Sequence, residues 1–349
     1  MSIGKAAGSN ADAEAAAELL LHDGGNSIDA IIGGFLAAAA LDSATLFAPV
    51  GIIVAGVGRG VRCIDGRPLQ PGAGQRRPRG VAPGQATPIA AFAAAPRSLA
   101  ALAIAHTYGA NKAMSMLARP AVTAARKLGS EARANLLSMF ATRGPRVLQQ
   151  SDVERALLAA GGQSAGGMLG AEDLDDLTPT DERATLFTLG HDTTAALPSW
   201  QPDDGGTRPG DVTRREHLRS SEVLVAADAN GTVAAIAWSP DTEGVLVPEF
   251  DVRLPADAAP VLRGVPRVAP KSPRPSALPL AVLSRPSDGW YAAIAVSARG
   301  DLQPGELRLD GGALAVLLDE LAHVERGTLA LGASVTRGKV QSLRVPGRR

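Results

Sequence analysis

The Asn-Gly pair at Asn230-Gly231 constrains the fold of this sequence more than any other feature. It separates two apolar runs, Glu222-Val-Leu-Val-Ala-Ala-Asp and Thr232-Val-Ala-Ala-Ile-Ala-Trp. Asn-Gly between strand-like runs is the strongest short signal for a β-hairpin, because both residues tolerate the backbone of a tight turn. The sequence therefore predicts two antiparallel strands joined at residues 229–231.

Helical patterns dominate the first half of the chain. Residues 11–22 are rich in Ala, Glu and Leu and predict a helix. Asn26 or Ser27 can cap a second helix that continues to about Leu41. Further helices are expected across residues 96–160, so the first half is α-rich.

Shorter elements are expected elsewhere. Ser151 is the predicted N-cap of the last helix of the α-rich half. Residues 68–88 hold Pro, Gly and Arg without periodicity and predict a loop. Two more helices are expected at residues 171–177 and about 312–324, and apolar runs predict strands at residues 51–58, 62–67, 280–283 and 291–296.

A stretch of clustered Pro, Asp, Gly and Thr at residues 198–213 is the clearest linker. It separates a helix-rich part, residues 1–197, from a β-rich part, residues 214–349. The length of 349 residues allows one large domain or two ordinary ones.

The charge balance and the scarcity of metal ligands exclude several classes of protein. Lys+Arg and Asp+Glu are both 35, so the basic surface of a nucleic-acid binder is not expected. The single cysteine, Cys63, excludes an internal disulfide and a Cys-based zinc cluster, and the five histidines lack ligand spacing. No secretory signal is evident, and the longest apolar tract is interrupted, so we expect a cytoplasmic protein without a membrane span.

Five short segments occur in an order that resembles the gamma-glutamyltransferase family of N-terminal-nucleophile hydrolases. They are residues 14–30 with their Gly-Gly-Asn turn, residues 65–67 (Asp-Gly-Arg), residues 108–125, residues 167–174 and residues 221–238. The resemblance implies an α+β fold, the four-layer αββα sandwich of that superfamily, in a single domain. It also implies a shortened member, with the missing structure between Leu174 and Ser220.

The resemblance implies a chemistry based on Ser221. The family nucleophile becomes a new N-terminus when the precursor cuts itself, and its free α-amine acts as the base for its own hydroxyl. Arg67 matches the family arginine that holds the substrate α-carboxylate, for which a forked guanidinium is suited. A strand-start serine pair at Ser220-Ser221 and a surface arginine in a turn are the structural alternatives.

Five further positions take their expected roles from the same resemblance. Ser239 matches a hydroxyl residue beside the nucleophile, and Gly300 is what remains of the Gly pair whose N–H groups form the oxyanion hole. Asp241, Asp251 and Ser276 match substrate-binding positions, with structural polar turns as the alternative for Ser239 and the two aspartates.

Other constellations are weaker. His217 beside Ser220 lacks the nucleophile elbow of a Ser-His-Asp triad. The glycines after Gly56 lack the complete pattern of a phosphate loop, so close backbone packing is preferred. Asp173 and its acidic neighbours lack the loop spacing of a cation site. Thr193-Thr194 is the second choice for a nucleophile.

The sequence leaves three functions open. The first is an amidase or acyltransferase that acts on γ-glutamyl or similar amino-acid amides through an acyl-enzyme on Ser221, with no metal and no organic cofactor. Its partner would be a small amino-acid or peptide substrate. The second is an inactive, uncleaved relative with a structural role, bound to a protein partner or forming a homo-oligomer. The third is an unrelated αβ binding domain.

Overall fold

Two six-stranded sheets lie at the centre of the computed structural model, which describes residues 4–56, 58, 60–76, 78, 80–82, 84–189, 192–200, 221–276, 278–298 and 328–346. The strands are β1 (Lys5–Gly8), β2 (Val50–Gly56), β3 (Gly60–Gly66), β4 (Thr180–Arg183), β5 (Thr185–Leu189), β6 (Thr193–Leu197), β7 (Glu222–Ala227), β8 (Thr232–Trp238), β9 (Val245–Val247), β10 (Val252–Leu254), β11 (Leu280–Arg285), β12 (Trp290–Ala298), β13 (Thr328–Thr336) and β14 (Lys339–Pro346). The first sheet has the order β1-β7-β8-β2-β3-β4 and the second β14-β13-β12-β11-β6-β5. Neighbouring strands in both sheets are antiparallel.

The predicted hairpin is confirmed as the pair β7–β8 near the middle of the first sheet. The Asp228 carboxylate stabilises its turn, because Oδ1 accepts the backbone N–H groups of Asn230 (2.9 Å) and Thr232 (3.2 Å). Gly231 has a φ of 90°, a conformation that favours glycine. The turn residues therefore fix the register of the two strands.

Side-chain alternation along this hairpin divides the interior into two apolar cores. Val223 and Val225 face the second sheet, whereas Leu224 and Ala226 face the helices. In the space between the sheets, β12 and β13 pack on β7 and β8. Because both faces of the hairpin are buried, its strands carry apolar residues throughout and do not alternate with polar ones.

A layer of helices covers the outer face of the first sheet. The helices are α1 (Ala11–His22), α2 (Ser27–Leu41), α3 (Ser98–Thr107), α4 (Met114–Lys127), α5 (Glu131–Arg143), α6 (Ser151–Gly161) and α7 (Ala171–Asp175). Helices α1 to α3 contact the sheet, and α4 and α5 pack on α2. These helices confirm the predictions for the first half, except that Ser151 begins α6 and Gln150 takes the N-cap position.

Buried carboxylates hold the Gly-Gly-Asn segment in place. Asn26 caps α2 in a reciprocal capping box with Asp29, which is fully buried. The Asp29 carboxylate also accepts the N–H groups of Asn111 (3.1 Å) and Lys112 (3.0 Å), and the Asn26 amide donates to the Gly109 carbonyl (2.6 Å). These hydrogen bonds therefore hold the segment at 14–30 against the segment at 108–125.

Several expected elements need correction or lie outside the described residues. The helix-rich part ends in strands, because residues 180–197 form β4, β5 and β6. Strands β13 and β14 were not predicted either. The expected helix at about 312–324 and most of the linker at 198–213 fall outside the described residues.

Candidate functional site

Ser221 and Ser239 lie opposite each other at the open end of the β7–β8 hairpin. The ladder between these strands ends at the pair Glu222 and Trp238, and the next residues in register are the two serines. Ser221 is 2% exposed and Ser239 is 4% exposed. The structure therefore brings together the predicted nucleophile and the hydroxyl residue predicted to lie beside it.

The same end of the first sheet carries Arg67. The β8–β2 ladder ends one residue before Ser239 and Pro49, and the β2–β3 ladder ends one residue before Pro49 and Arg67. The Ser239 N–H donates to the Pro49 carbonyl (3.1 Å). Ser221, Ser239, Pro49 and Arg67 thus form a transverse row, which we call the strand-end row. Its two ends, Ser221 and Arg67, are three strand spacings apart, which corresponds to about 14 Å between their backbones.

The side chain of Ser221 is directed toward the space between the two sheets. Alternation puts Ser221 on the same face as Val223, and Val223 belongs to the core between the two sheets. Glu222 faces the opposite side, where its carboxylate accepts a hydrogen bond from the Asn10 amide (3.1 Å). The carboxylate of Glu222 is therefore directed away from Ser221.

Arg67 is oriented by the aspartate two residues before it. Its Nε donates to Asp65 Oδ1 (3.0 Å) and its Nη2 to Asp65 Oδ2 (2.9 Å), so one edge of the guanidinium is bound side-on. The side chain is 17% exposed. No hydrogen bond or ion pair among the described residues uses its Nη1, so the edge between Nη1 and Nη2 can bind a ligand carboxylate.

The second sheet presents Ser297 at the same end of the molecule. Leu278, just before β11, packs against Gly51 of β2. The Leu278 Cβ lies 3.2 Å from the position that a Cβ on this glycine would occupy. The Val296 N–H donates to the Pro279 carbonyl (3.2 Å), which places Ser297 opposite Leu278. The chain leading to Gly300 thus leaves β12 at the end where Ser221 lies, and Gly300 itself is outside the described residues.

Ser276 lies toward the Arg67 end of the row. The Arg274 N–H donates to the Pro68 carbonyl (2.8 Å), and the Gln70 N–H donates to the Ser272 carbonyl (2.8 Å), so this segment runs antiparallel to residues 68–70. Ser276 follows two residues later. Its Oγ is buried without a hydrogen-bond partner among the described residues.

The two aspartates expected to bind substrate are engaged elsewhere. The Asp241 carboxylate accepts the N–H groups of Ala256 (2.8 Å) and Glu243 (3.2 Å). The Asp251 carboxylate accepts hydrogen bonds from Ser130 (2.5 Å) and Arg133 (2.5 Å) in the helical layer. The first stabilises a loop, and the second ties a short two-stranded sheet, β9 and β10, to helix α5.

The weaker constellations are explained by the fold. Gly56 and the glycines after it connect β2 directly to β3, so the helix that a phosphate loop requires does not follow. The Asp173 carboxylate accepts the N–H groups of Gly72 (2.8 Å) and Ala73 (2.9 Å) as an anchor. Thr194 pairs with Ser284, at the end of β11 remote from the row, and His217 lies outside the described residues.

Neither the cysteine nor a metal cluster offers alternative chemistry within the described part of the chain. Cys63 lies in the core between the sheets, and its burial, with smaller contributions from Glu182 and Asp181, raises the pKa of the thiol to about 12. A thiol with this pKa is protonated near neutral pH. No group of three His, Cys, Asp or Glu residues that could hold a metal occurs among the described residues, and none of their helices is long and apolar enough to cross a membrane.

Arg97 is a residue that the sequence analysis missed. It precedes α3, and its buried Nη2 lies 3.3 Å from Asp65 Oδ2. Burial lowers the pKa of Arg97, and the nearby Asp65 carboxylate opposes that shift. The one signal in the sequence is a single cation in the otherwise small and apolar stretch of residues 93–102.

Comparison with solved structures confirms that the fold mixes helices and sheets, as expected. The chain superposes along its whole length on a structure of LmbA2991T421A, with a TM-score of 0.64, 14% identity and 98% of that chain covered. It matches cephalosporin acylase from Bacillus halodurans with a TM-score of 0.63 and 13% identity, over 98% of this chain and 96% of that one. The chain thus has the same mixed helix-and-sheet fold as these two structures.

A further match, to gamma-glutamyltranspeptidase from Pseudomonas nitroreducens, has a TM-score of 0.46 and 18% identity over 55% of this chain and 70% of that one. This overlap is too weak to support an inference about function. No family model matches the sequence. No curated protein matches it either.

Proposed function

We propose that this protein is a self-processing amidase or acyltransferase that acts on γ-glutamyl or similar amino-acid amides. The strand-end row carries the proposal, because Ser221, Ser239 and Arg67 lie at one end of the same sheet. The likeness of the fold to a cephalosporin acylase supports acyl chemistry in general. The substrate is a small amino-acid or peptide amide.

The first step in the proposed mechanism is cleavage of the Ser220–Ser221 peptide bond. The Ser221 hydroxyl attacks the carbonyl carbon of Ser220, and the peptide nitrogen leaves as the amine, so an ester joins the two residues. Water then hydrolyses the ester. The products are a carboxylate on Ser220 and a free α-amine on Ser221, which is the base that this nucleophile requires.

The second step is acyl transfer. The α-amine of Ser221 accepts the proton of its own hydroxyl while Oγ attacks the amide carbonyl of the substrate. We propose that the Gly300 N–H donates to the resulting oxyanion and that the Ser239 hydroxyl orients Ser221. The protonated amine then gives its proton to the departing amine, and water or an acceptor amine resolves the acyl-enzyme.

Arg67 gives this site its selectivity for an amino-acid group. Its available edge suits the two oxygens of a substrate α-carboxylate, and Asp65 holds the opposite edge. We propose that the Ser276 hydroxyl, which is buried and unpartnered within the described residues, contacts a polar group of the same substrate. The contacts of Asp241 and Asp251 favour structural roles for both carboxylates.

We propose the complete four-layer αββα sandwich for the fold. The described residues supply a helical layer and two sheets. The outer face of the second sheet carries buried apolar side chains, among them Leu197, Leu283 and Ile294, as a fourth layer requires.

The role of Arg67 is tested with two anilides that differ only in the α-carboxylate. We expect Arg67→Gln to raise the KM for γ-glutamyl-p-nitroanilide by at least about tenfold, because a charged hydrogen-bonded pair is lost. The KM for 4-aminobutyryl-p-nitroanilide, which lacks the carboxylate, should stay within about twofold. Steady-state kinetics on both substrates measure the effect, and an equal change on both would exclude this role for Arg67.

A further inference from the structure

A cluster of two guanidinium groups and one carboxylate, in which Asp65 and Arg97 are buried, adjoins the strand-end row. Asp65 receives Arg67 side-on and Arg97 at 3.3 Å, and the Asp65 and Arg97 side chains are 5% and 3% exposed. Asp176 also attracts Arg97 electrostatically, but it is exposed and accepts the Thr178 N–H (3.2 Å). The cluster therefore holds two positive charges and one negative charge.

Arg97 is attached to the backbone of Arg67 as well as to Asp65. Its Nε donates to the Arg67 carbonyl (2.7 Å), and its Nη1 donates to the Thr178 carbonyl (3.4 Å). The residue is at the N-cap position of α3, a helix packed against β2 and β3. Arg97 thus connects a rigid helix to the carboxylate and the main chain that orient the Arg67 guanidinium.

The charge of this cluster is not balanced. A buried charge without a partner is costly, so two guanidinium groups that share one carboxylate favour the arrival of another anion. The buried Nη2 of Arg97 pairs with Asp65 Oδ2 at 3.3 Å, so Arg97 and Arg67 both draw on this one carboxylate. The excess positive charge beside the available edge of Arg67 therefore favours an anionic ligand at that edge.

We propose that Arg97 is a positioning residue that makes the site selective for a ligand carboxylate over a neutral group. It acts through Asp65 and the Arg67 carbonyl, which hold the available edge of Arg67 toward the ligand. This inference rests on the role of Arg67 in the proposed function. It adds that the selectivity depends on the geometry of a second guanidinium that does not touch the ligand.

Binding by the full-length chain tests this role without requiring turnover. Isothermal titration would compare L-glutamate with L-isoglutamine, in which a carboxamide replaces the α-carboxylate. We expect the wild type to prefer L-glutamate, and we expect Arg97→Gln and Arg97→Lys each to reduce that preference at least about tenfold. Lysine keeps the charge but cannot reach Asp65 and both carbonyls together.

Arg133→Gln is the matched control, because Arg133 is also a buried arginine that pairs with an aspartate, but in the helical layer. It should keep the wild-type preference. A general loss of folding lowers the affinity for both ligands, whereas the proposed role changes their ratio. If Arg97→Gln fails to fold, Arg97→Lys decides the result.

Two results overturn the inference: a wild type that does not bind L-glutamate in preference to L-isoglutamine, or a preference that persists in Arg97→Lys. The proposed catalytic function fails separately. Absence of γ-glutamyl anilide hydrolysis together with an Arg97-dependent preference would reject catalysis and support the binding role. Hydrolysis of the anilide together with an unchanged preference in the Arg97 variants would support catalysis and reject the positioning role of Arg97.

Discussion

Replacing Ser221 with alanine is expected to lower γ-glutamyl anilide hydrolysis by at least about 10⁴-fold, because loss of a catalytic nucleophile costs this much. The hydroxyl at this position would supply both the bond to the acyl group and the new N-terminus. The variant should remain folded, because serine and alanine differ by one oxygen at the end of a strand. Steady-state rates of purified Ser221→Ala and wild type measure the effect.

Three controls separate the nucleophile from its surroundings. Ser221→Thr keeps a hydroxyl and should retain measurable activity. Ser239→Ala should still form the acyl-enzyme and lose about 10²-fold in rate, because Ser221 loses the hydroxyl that orients it. Thr194→Ala, at the remote end of the second sheet, should be silent. Hydrolysis by Ser221→Ala at a tenth of the wild-type rate would reject Ser221 as the nucleophile.

Replacing Asp29 with alanine is expected to lower the free energy of unfolding by about 3–5 kcal/mol. The change removes one fully buried carboxylate and leaves the N–H groups of Asn26, Asn111 and Lys112 without their acceptor. The junction between α2 and the segment that precedes α4 should therefore loosen. Urea denaturation followed by circular dichroism measures the change.

Asp12→Ala is the matched control for this prediction. Asp12 is an exposed acid in the first turn of α1, so its loss should cost less than about 1 kcal/mol. Asp29→Asn should give an intermediate value, because an amide keeps one acceptor oxygen. Equal unfolding free energies for Asp29→Ala and Asp12→Ala would show that the buried hydrogen bonds do not stabilise the fold.

Local signals in the sequence predicted the elements whose structure is local. Asn230-Gly231 specifies a turn within four residues, and Asn26 caps α2 with an acid three residues later. In both cases the residue types determine the backbone without help from distant parts of the chain. These predictions were therefore correct to within a residue or two.

The strands that were missed lie mainly at sheet edges. Strands β1 and β4 border the first sheet, and β5 and β14 border the second. An edge strand such as Thr180–Arg183 is mostly exposed, so it lacks the apolar pattern that identifies a central strand. The interior strand β13 contains Gly332, which weakens the same signal.

The candidate site depends on pairings that no local pattern contains. Arg67 and Ser221 are far apart in sequence and meet in one row only through the registers of three ladders. The resemblance brought both residues to attention, but it gave no indication of Arg97, which approaches Asp65 from the start of α3. Burial and charge balance become visible only in the folded chain.

The mass of the wild-type protein after incubation tests the central claim most directly. If Ser221 is an N-terminal nucleophile, folded protein should separate under denaturing conditions into residues 1–220 and residues 221–349, with a free amine on Ser221. Ser221→Ala should remain a single chain of 35.6 kDa. A wild-type protein that stays intact at 35.6 kDa after prolonged incubation would contradict the proposed function.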